Sequence, residues 1–284
     1  MLHISIAAEQ IFPLFGISIT NSFFTTWIVM ALLIILSVVL TSKLKRKPGL
    51  VQVAAELIIG GLYSFMAGLG GKHGKVFAPI AVTMFLFILI SNWSGLIPGV
   101  GTVGFYENGA EETSKIVTTV KAESASDAAV TTEKSTTTEK KPEAKVFVPF
   151  FRAPTADLNT TLALALIAFC LIQYYGLKYG GIGYLKKFVN ISNPIGFFVG
   201  ILETVSDISK IISFAFRLFG NIFAGEVLLG VMGFLFAFFL PIPFYGLELF
   251  VGLIQALVFA MLTMVFINLA VSHGEHEGHA EAHS

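Results

Sequence analysis

Charge is scarce in this sequence. Asp, Glu, Lys and Arg make up 13% of its 284 residues, where an ordinary soluble domain carries roughly a quarter. That scarcity excludes a conventional water-facing surface. The 18 basic and 18 acidic residues cancel to a formal net charge of zero, so no bulk field recruits nucleic acid or an acidic partner. Cysteine is nearly absent. Cys170 stands alone, which excludes a disulfide framework and a cysteine metal site, and its place in an apolar run reads as a core position. The opening residues MLHISIAAEQIF lack the basic region of a cleavable signal peptide, so they are expected to belong to the mature chain. No internal repeat of the kind that builds secondary transporters is evident.

What the chain has instead is apolar length. Hydrophobic residues reach 55% and the mean hydropathy is +0.81. A hydrocarbon core of about 30 Å takes about 20 apolar residues per helix. Charge-free runs of that size predict an all-α integral membrane protein with about five transmembrane segments plus an interfacial helix. The first span, 22–42, ends at KLKRK (43–47), a cluster that the positive-inside rule assigns to the cytoplasm. The run 50–70 has basic residues on both flanks and Gly60–Gly61 inside, and is predicted to lie along the cytoplasmic face. A second span, 76–98, leads out to a polar loop at 101–150, rich in Thr, Glu, Lys, Ala and Ser. Such a composition cannot bury enough apolar surface to fold alone, so the loop is expected to be external and largely disordered. The third span, 158–177, returns to Lys178, Lys186 and Lys187. The region 193–240 amounts to roughly 70 Å of helix, more than twice the hydrocarbon thickness. It must tilt steeply, kink or break. A last span, about 244–271, leads to a His-rich tail at 272–284 that crossing number places in the cytoplasm. The whole reads as one membrane domain.

The few charges are concentrated where they cost most. Glu203, Asp207, Lys210, Arg217 and Glu226 lie on otherwise apolar helix, and one central Arg, Lys or Asp costs roughly 2.5–3.5 kcal/mol on insertion scales. Glu203, Lys210 and Arg217 recur every seven residues, so each is turned only about 20° from the last and they share a stripe. Asn221 follows one turn on. Glu226 lies nine residues beyond Arg217, about 13 Å along the axis and about half a turn round. In the last span Glu248 and Gln255 share a face in the same way. Two carboxylates on neighbouring helices, displaced along the membrane from a single arginine, have the form of an aqueous proton path and its barrier. Plainer accounts exist for some of these groups. Glu203, Asp207 and Lys210 would serve as a salt-bridged interfacial start to a tilted helix, and Asn221 and Gln255 as interhelical hydrogen-bonding groups. Arg217 sits too deep to snorkel.

The segment RLFGNIFAGE (217–226), the spacing of Glu203, Lys210 and Arg217, and LIQALVFAMLT around Gln255 resemble subunit a of the F-type rotary ATP synthase. So do PGLVQVAAELIIG (48–60), SNWSGLIPG (91–99) and PTADLNTTLALAL (154–166). The resemblance covers nearly all of the chain outside 101–145. It implies a stator that catalyses no phosphoryl transfer and holds no cofactor, with two offset half-channels leading to a rotating c-ring of proteolipid subunits that each carry one membrane carboxylate. Its implied partners are that ring, the peripheral-stalk subunit b, the soluble catalytic head indirectly, and the bilayer of a bacterial plasma membrane. Arg217 carries over to the position between the half-channels. Glu226 and Glu248 match the polar positions of the outer half-channel, and both are acidic here where some relatives have a histidine. Asn221, Gln255, Asn92, Thr155, Asp157 and Asn159 match polar positions of the ion path or its packing. Gly95 stands where some relatives carry an acid, which leaves more of that work to Asp157. The last two long helices are expected to lie steeply inclined.

Rival functions make different demands. A self-contained secondary transporter or channel would use Arg217 to bind an anionic solute, and a membrane scaffold would leave the buried charges inert. The tail's His273, His276, His279 and His283 offer imidazoles to a transition metal, but an exposed tail without fixed geometry is the plainer expectation.

Overall fold

The computed structural model describes residues 10–14, 17–42, 48–97, 99–100, 103–108, 145–186, 188, 194–235 and 241–281. Among the described residues six α-helices follow one another: α1 (Asn21–Ser42), α2 (Leu50–Leu69), α3 (Gly74–Ser94), α4 (Leu158–Lys186), α5 (Pro194–Leu235) and α6 (Pro241–Glu281). All six are long and apolar enough to cross a membrane. The described residues also include two short antiparallel strand pairs. The strands β1 (Gln10–Leu14) and β2 (Ile17–Thr20) precede α1, and β3 (Gly104–Asn108) pairs with β4 (Lys145–Pro149). Neither hairpin was expected. The ends of the polar loop form a ladder from Gly104↔Pro149 to Asn108↔Lys145, while the expected disorder of 109–144 lies outside the described residues.

Packing joins α4 and α6 most closely, then α3 and α6, then α4 and α5. Large side chains (Phe77, Ile88, Leu218, Phe259, Met264, Ile267) are buried beside Ala165, Ala168, Ala215, Ala256 and Ala260. Small residues let membrane helices approach closely where no hydrophobic effect separates core from lipid. The outward faces are equally apolar, with Ile34, Ile35, Val38 and Val39 exposed on α1. Cys170 faces outward too. The core position expected for it is therefore corrected: an apolar run in a membrane helix does not tell the core side from the lipid side.

The long region begins with one unbroken helix rather than two. At about 1.5 Å per residue, 42 residues of α5 span about 63 Å, so it crosses a bilayer only on a steep incline. The final helix is also longer than its apolar run, continuing past Val271 to Glu281. The side chains of the tail histidines lie outside the described residues. A kink at Gly181, whose φ of 59° is left-handed, ends the regular part of α4.

Contacts sort the helix ends into two groups. At one end the start of α1 meets the loop's return arm, with the Asn21 amide donating to the Pro149 carbonyl (3.3 Å), and Thr155 meets Asn92 late in α3 (2.7 Å). At the other end the α2–α3 turn abuts the late part of α6, where Gly70 leaves no room beside Met264 and Gly71 none beside Asn268. Leu40 and Thr41 of α1 share a cavity wall with Gln52, Ala55 and Glu56 of α2. The end of α1 thus lies beside the start of α2, away from the start of α1 and on the side of the α2–α3 turn. If α2 crossed, the stretch from Ser42 to Leu50 would have to traverse the hydrocarbon fully extended, about 28 Å, and drag KLKRK with it. The five-span arrangement with α2 along one face follows.

Candidate functional site

The middle of α5 has two faces. Phe214, Ala215, Leu218, Ile222 and Gly225 turn inward, whereas Ser213, Phe216, Arg217, Gly220, Asn221 and Ala224 form an outward stripe. Arg217 sits on that stripe about 35 Å from the start of the helix. Its Nη2 reaches the Ser213 hydroxyl at 3.5 Å. Among the described residues no carboxylate pairs with it. Small residues flank it, and Gly220 looks into open space.

One turn further, the Asn221 amide donates to Gln255 Oε1 at 2.8 Å. Gln255 is buried on the inward face of α6 with Glu248 and Gly252, so this bond ties α5 to α6 beside the arginine. The interhelical role weighed for both residues is what the geometry provides.

Toward the end of the bundle that holds the polar loop, the two acids diverge. Glu248 is 6% exposed, and its carboxyl group rests on α5 at Gly225, where a Cβ would overlap it. Glu226 is far more open, its side chain 44% exposed, and is held by Arg152, whose Nε and Nη2 both lie 3.2 Å from Oε2. Sequence reasoning missed Arg152. The chain contains only three arginines, Arg46, Arg152 and Arg217, and asking which cation partners Glu226 would have found it.

The polar positions between loop and helices have structural work. The Thr155 hydroxyl donates to Asn92 Oδ1 (2.7 Å), and the Asn92 amide donates to the Gly252 carbonyl (2.9 Å). The Trp93 indole N–H reaches the Leu249 carbonyl (3.1 Å). Asp157 caps α4: its Oδ1 accepts from the Asn159 backbone N–H (3.0 Å) and its carbonyl from that of Thr161, satisfying donors left open at a helix start. The side chain of Asn159 is exposed. Gly95 meets the return arm so closely that a Cβ would come within 2.6 Å of Ala153 Cβ. An acidic side chain there would require this contact to open.

Toward the opposite end lies a second cluster. Asp207 is buried, takes a hydrogen bond from Lys210, and accepts from the Gln173 amide (3.1 Å); the Tyr184 hydroxyl donates to Gln173 Oε1 (2.8 Å). The Lys210 ammonium lies 4.9 Å from the Phe266 ring centre. Tyr184 is beyond Gly181, where the candidate span ends. Burial first, and the nearby Asp207 charge second, push its phenol up to about 12, so it remains a donor. The salt-bridged account of this helix start holds for Asp207 and Lys210. Glu203, one turn before Asp207, acts on Tyr184 through its charge. Gln173 and Tyr184 carry no distinguishing mark in the sequence.

The family model for the ATP synthase A chain matches residues 23–268. Among curated proteins, the ATP synthase subunit a of Geotalea daltonii is 31% identical over 249 residues, covering 88% of this chain and 86% of that one. That of Desulfotalea psychrophila is 33% identical over 253 residues, covering 87% and 83%. The ATP synthase subunit a 3 of Pelobacter propionicus is 31% identical over 245 residues, covering 85% and 83%. The match takes in every helix that carries Arg217, Glu226, Glu248 and Gln255, and the chain belongs to the ATP synthase A chain family.

Proposed function

We propose that this chain is the ion-conducting stator subunit of an F-type ATP synthase, with Arg217 as the barrier between two offset half-channels. It is not an enzyme by itself. The observation that carries the reading is the outward stripe of α5. A permanent cation stands there on a membrane-spanning surface with no carboxylate beside it among the described residues, and an intramembrane charge of that kind calls for a partner. A ring of proteolipid subunits, each bringing one membrane carboxylate, supplies it. The arginine favours the ionised form of the passing carboxylate and repels a proton that would otherwise pass directly from one half-channel to the other.

Glu226 and Glu248 serve the outer half-channel, while Asn221 and Gln255 hold the two helices beside the arginine. Glu203 and Lys210 lie toward the inner side. Ring rotation then couples proton flow to ATP synthesis in the soluble head. One charge falling through 100 mV releases about 2.3 kcal/mol, so several crossings serve each ATP. The peripheral-stalk subunit b anchors the stator, and the membrane is a bacterial plasma membrane. The solute-transporter alternative would enclose Arg217 in a cavity, whereas its outward position favours a partner subunit.

ATP-driven acidification of inverted vesicles tests this. With Arg217→Ala in an assembled complex, pumping is expected to vanish and passive leak to rise. Pumping at the wild-type rate would overturn the assignment.

A further inference from the structure

Arg152 has no place in the scheme above, yet it is 8% exposed and lies at the edge of the membrane bundle. A buried guanidinium needs compensation, and its carboxylate is one of the two placed on the outer half-channel. We infer that Arg152 is a positioning residue of that half-channel, fixing the Glu226 carboxyl group so that only one of its oxygens exchanges protons. The inference rests on the stator reading.

Three observations carry it. The first is the approach. Nε and Nη2 both converge on Oε2, each at 3.2 Å, whereas Oε1 makes no hydrogen bond to another described residue and the side chain is nearly half exposed. One oxygen is held and the other is offered.

The second is the rigidity of the arm that delivers the guanidinium. The Arg152 backbone N–H donates to the Thr25 hydroxyl (3.4 Å) and the Asn21 amide to the Pro149 carbonyl (3.3 Å), both on α1. On the other side Ala153 is seated against Gly95, and Thr155 is bonded to Asn92. The arm is clamped to α1 and α3 while its arginine reaches α5, so the carboxyl group is fixed relative to three helices at once.

The third is the contrast with Glu248. That carboxyl group is enclosed and rests on Gly225, the residue before Glu226. The two acids thus meet consecutive positions of α5, one accessible and tethered and the other enclosed. A proton transfer rate depends on the geometry of donor and acceptor. In the step inferred here a hydronium gives its proton to Oε1 and leaves water behind, Oε2 remains bonded to Arg152, and Oε1 then passes the proton to a water of the half-channel, which carries it as hydronium to the ring carboxylate. No other bond changes.

The test uses the whole complex in inverted vesicles, with ATP-driven acidification, passive leak and assembly recorded. Arg152→Gln is expected to lower pumping at least tenfold, and Arg152→Lys, which keeps the cation, to recover at least a third of the wild-type rate. Because the two groups act as a unit, Arg152→Gln/Glu226→Gln should pump no worse than Glu226→Gln alone. Wild-type pumping by Arg152→Gln, a lysine variant as impaired as the glutamine one, or a double variant whose losses multiply would each overturn the inference. Should Arg152→Gln fail to assemble because Glu226 is left unpaired, the double variant removes both charges, and its comparison with Glu226→Gln decides. Failure of both to assemble would assign Arg152 to folding alone and overturn it too. Arg217→Ala in parallel separates the readings: if Arg217→Ala abolishes pumping and Arg152→Gln does not, only the role of Arg152 falls.

Discussion

The carboxyl group of Glu248 rests against Gly225 of the neighbouring helix, leaving no space for a Cβ at that glycine. The glycine is what allows α6 to bring a buried acid up to α5 immediately before Glu226. Its reason is steric, since the residue is in regular helix and needs no special backbone angles.

Gly225→Ala should therefore displace Glu248. Pumping by the assembled complex is expected to fall at least tenfold, even though alanine favours the helix by about 1 kcal/mol. Gly233→Ala on the same helix meets open space and should pump within twofold of wild type. Equal behaviour of the two variants in the vesicle assay would show that the contact has no functional weight.

The Asn221–Gln255 bond is a separable quantity. Interhelical hydrogen bonds in membranes average about 0.6 kcal/mol and reach about 1.7. A double-mutant cycle with Asn221→Leu and Gln255→Leu, read by reversible unfolding in bicelles, should return a coupling in that range. A coupling indistinguishable from zero would mean that the two amides do not hold the helices together.

Asp157 has a capping role that can be told apart from an ion-path role. Asp157→Ala should cost about 0.5–2 kcal/mol, while Asp157→Asn retains a good cap. If the helix bond is what matters, Asp157→Asn assembles and pumps normally. Normal stability with pumping lost would instead give the carboxylate a place on the path.

The polar loop should be dispensable between its strands. Because Asn108 faces Lys145 at the open end of the β3–β4 ladder, replacing 109–144 with Asn-Gly supplies the two-residue turn such a hairpin favours. Assembly and pumping are expected to persist. Extending the deletion through Arg152 should abolish pumping, and its survival would argue against any role for the return arm.

Much of the architecture was legible in the residues themselves. Apolar runs of bilayer length mark α1, α3, α4, α5 and α6, the flanking basic residues separate α2 from them, and the cost of a charge in hydrocarbon singles out Arg217, Glu226 and Glu248. These are local properties, carried by a residue and its near neighbours along one helix. The β3–β4 ladder was missed because a short strand depends on its pairing partner, and the two are separated by 36 intervening residues (109–144). Cys170 was misplaced because lipid and core are equally apolar solvents for a helix face. Arg152 escaped notice for a related reason. It meets Glu226 across 74 residues of chain, just as Asn92 meets Gly252 across 160. Which segments enter the membrane and which charges must be accounted for follow from transfer energies, and so can be read along the chain. Which charge answers which depends on how the return arm and three helices converge, and that is a matter of packing between segments far apart in the chain.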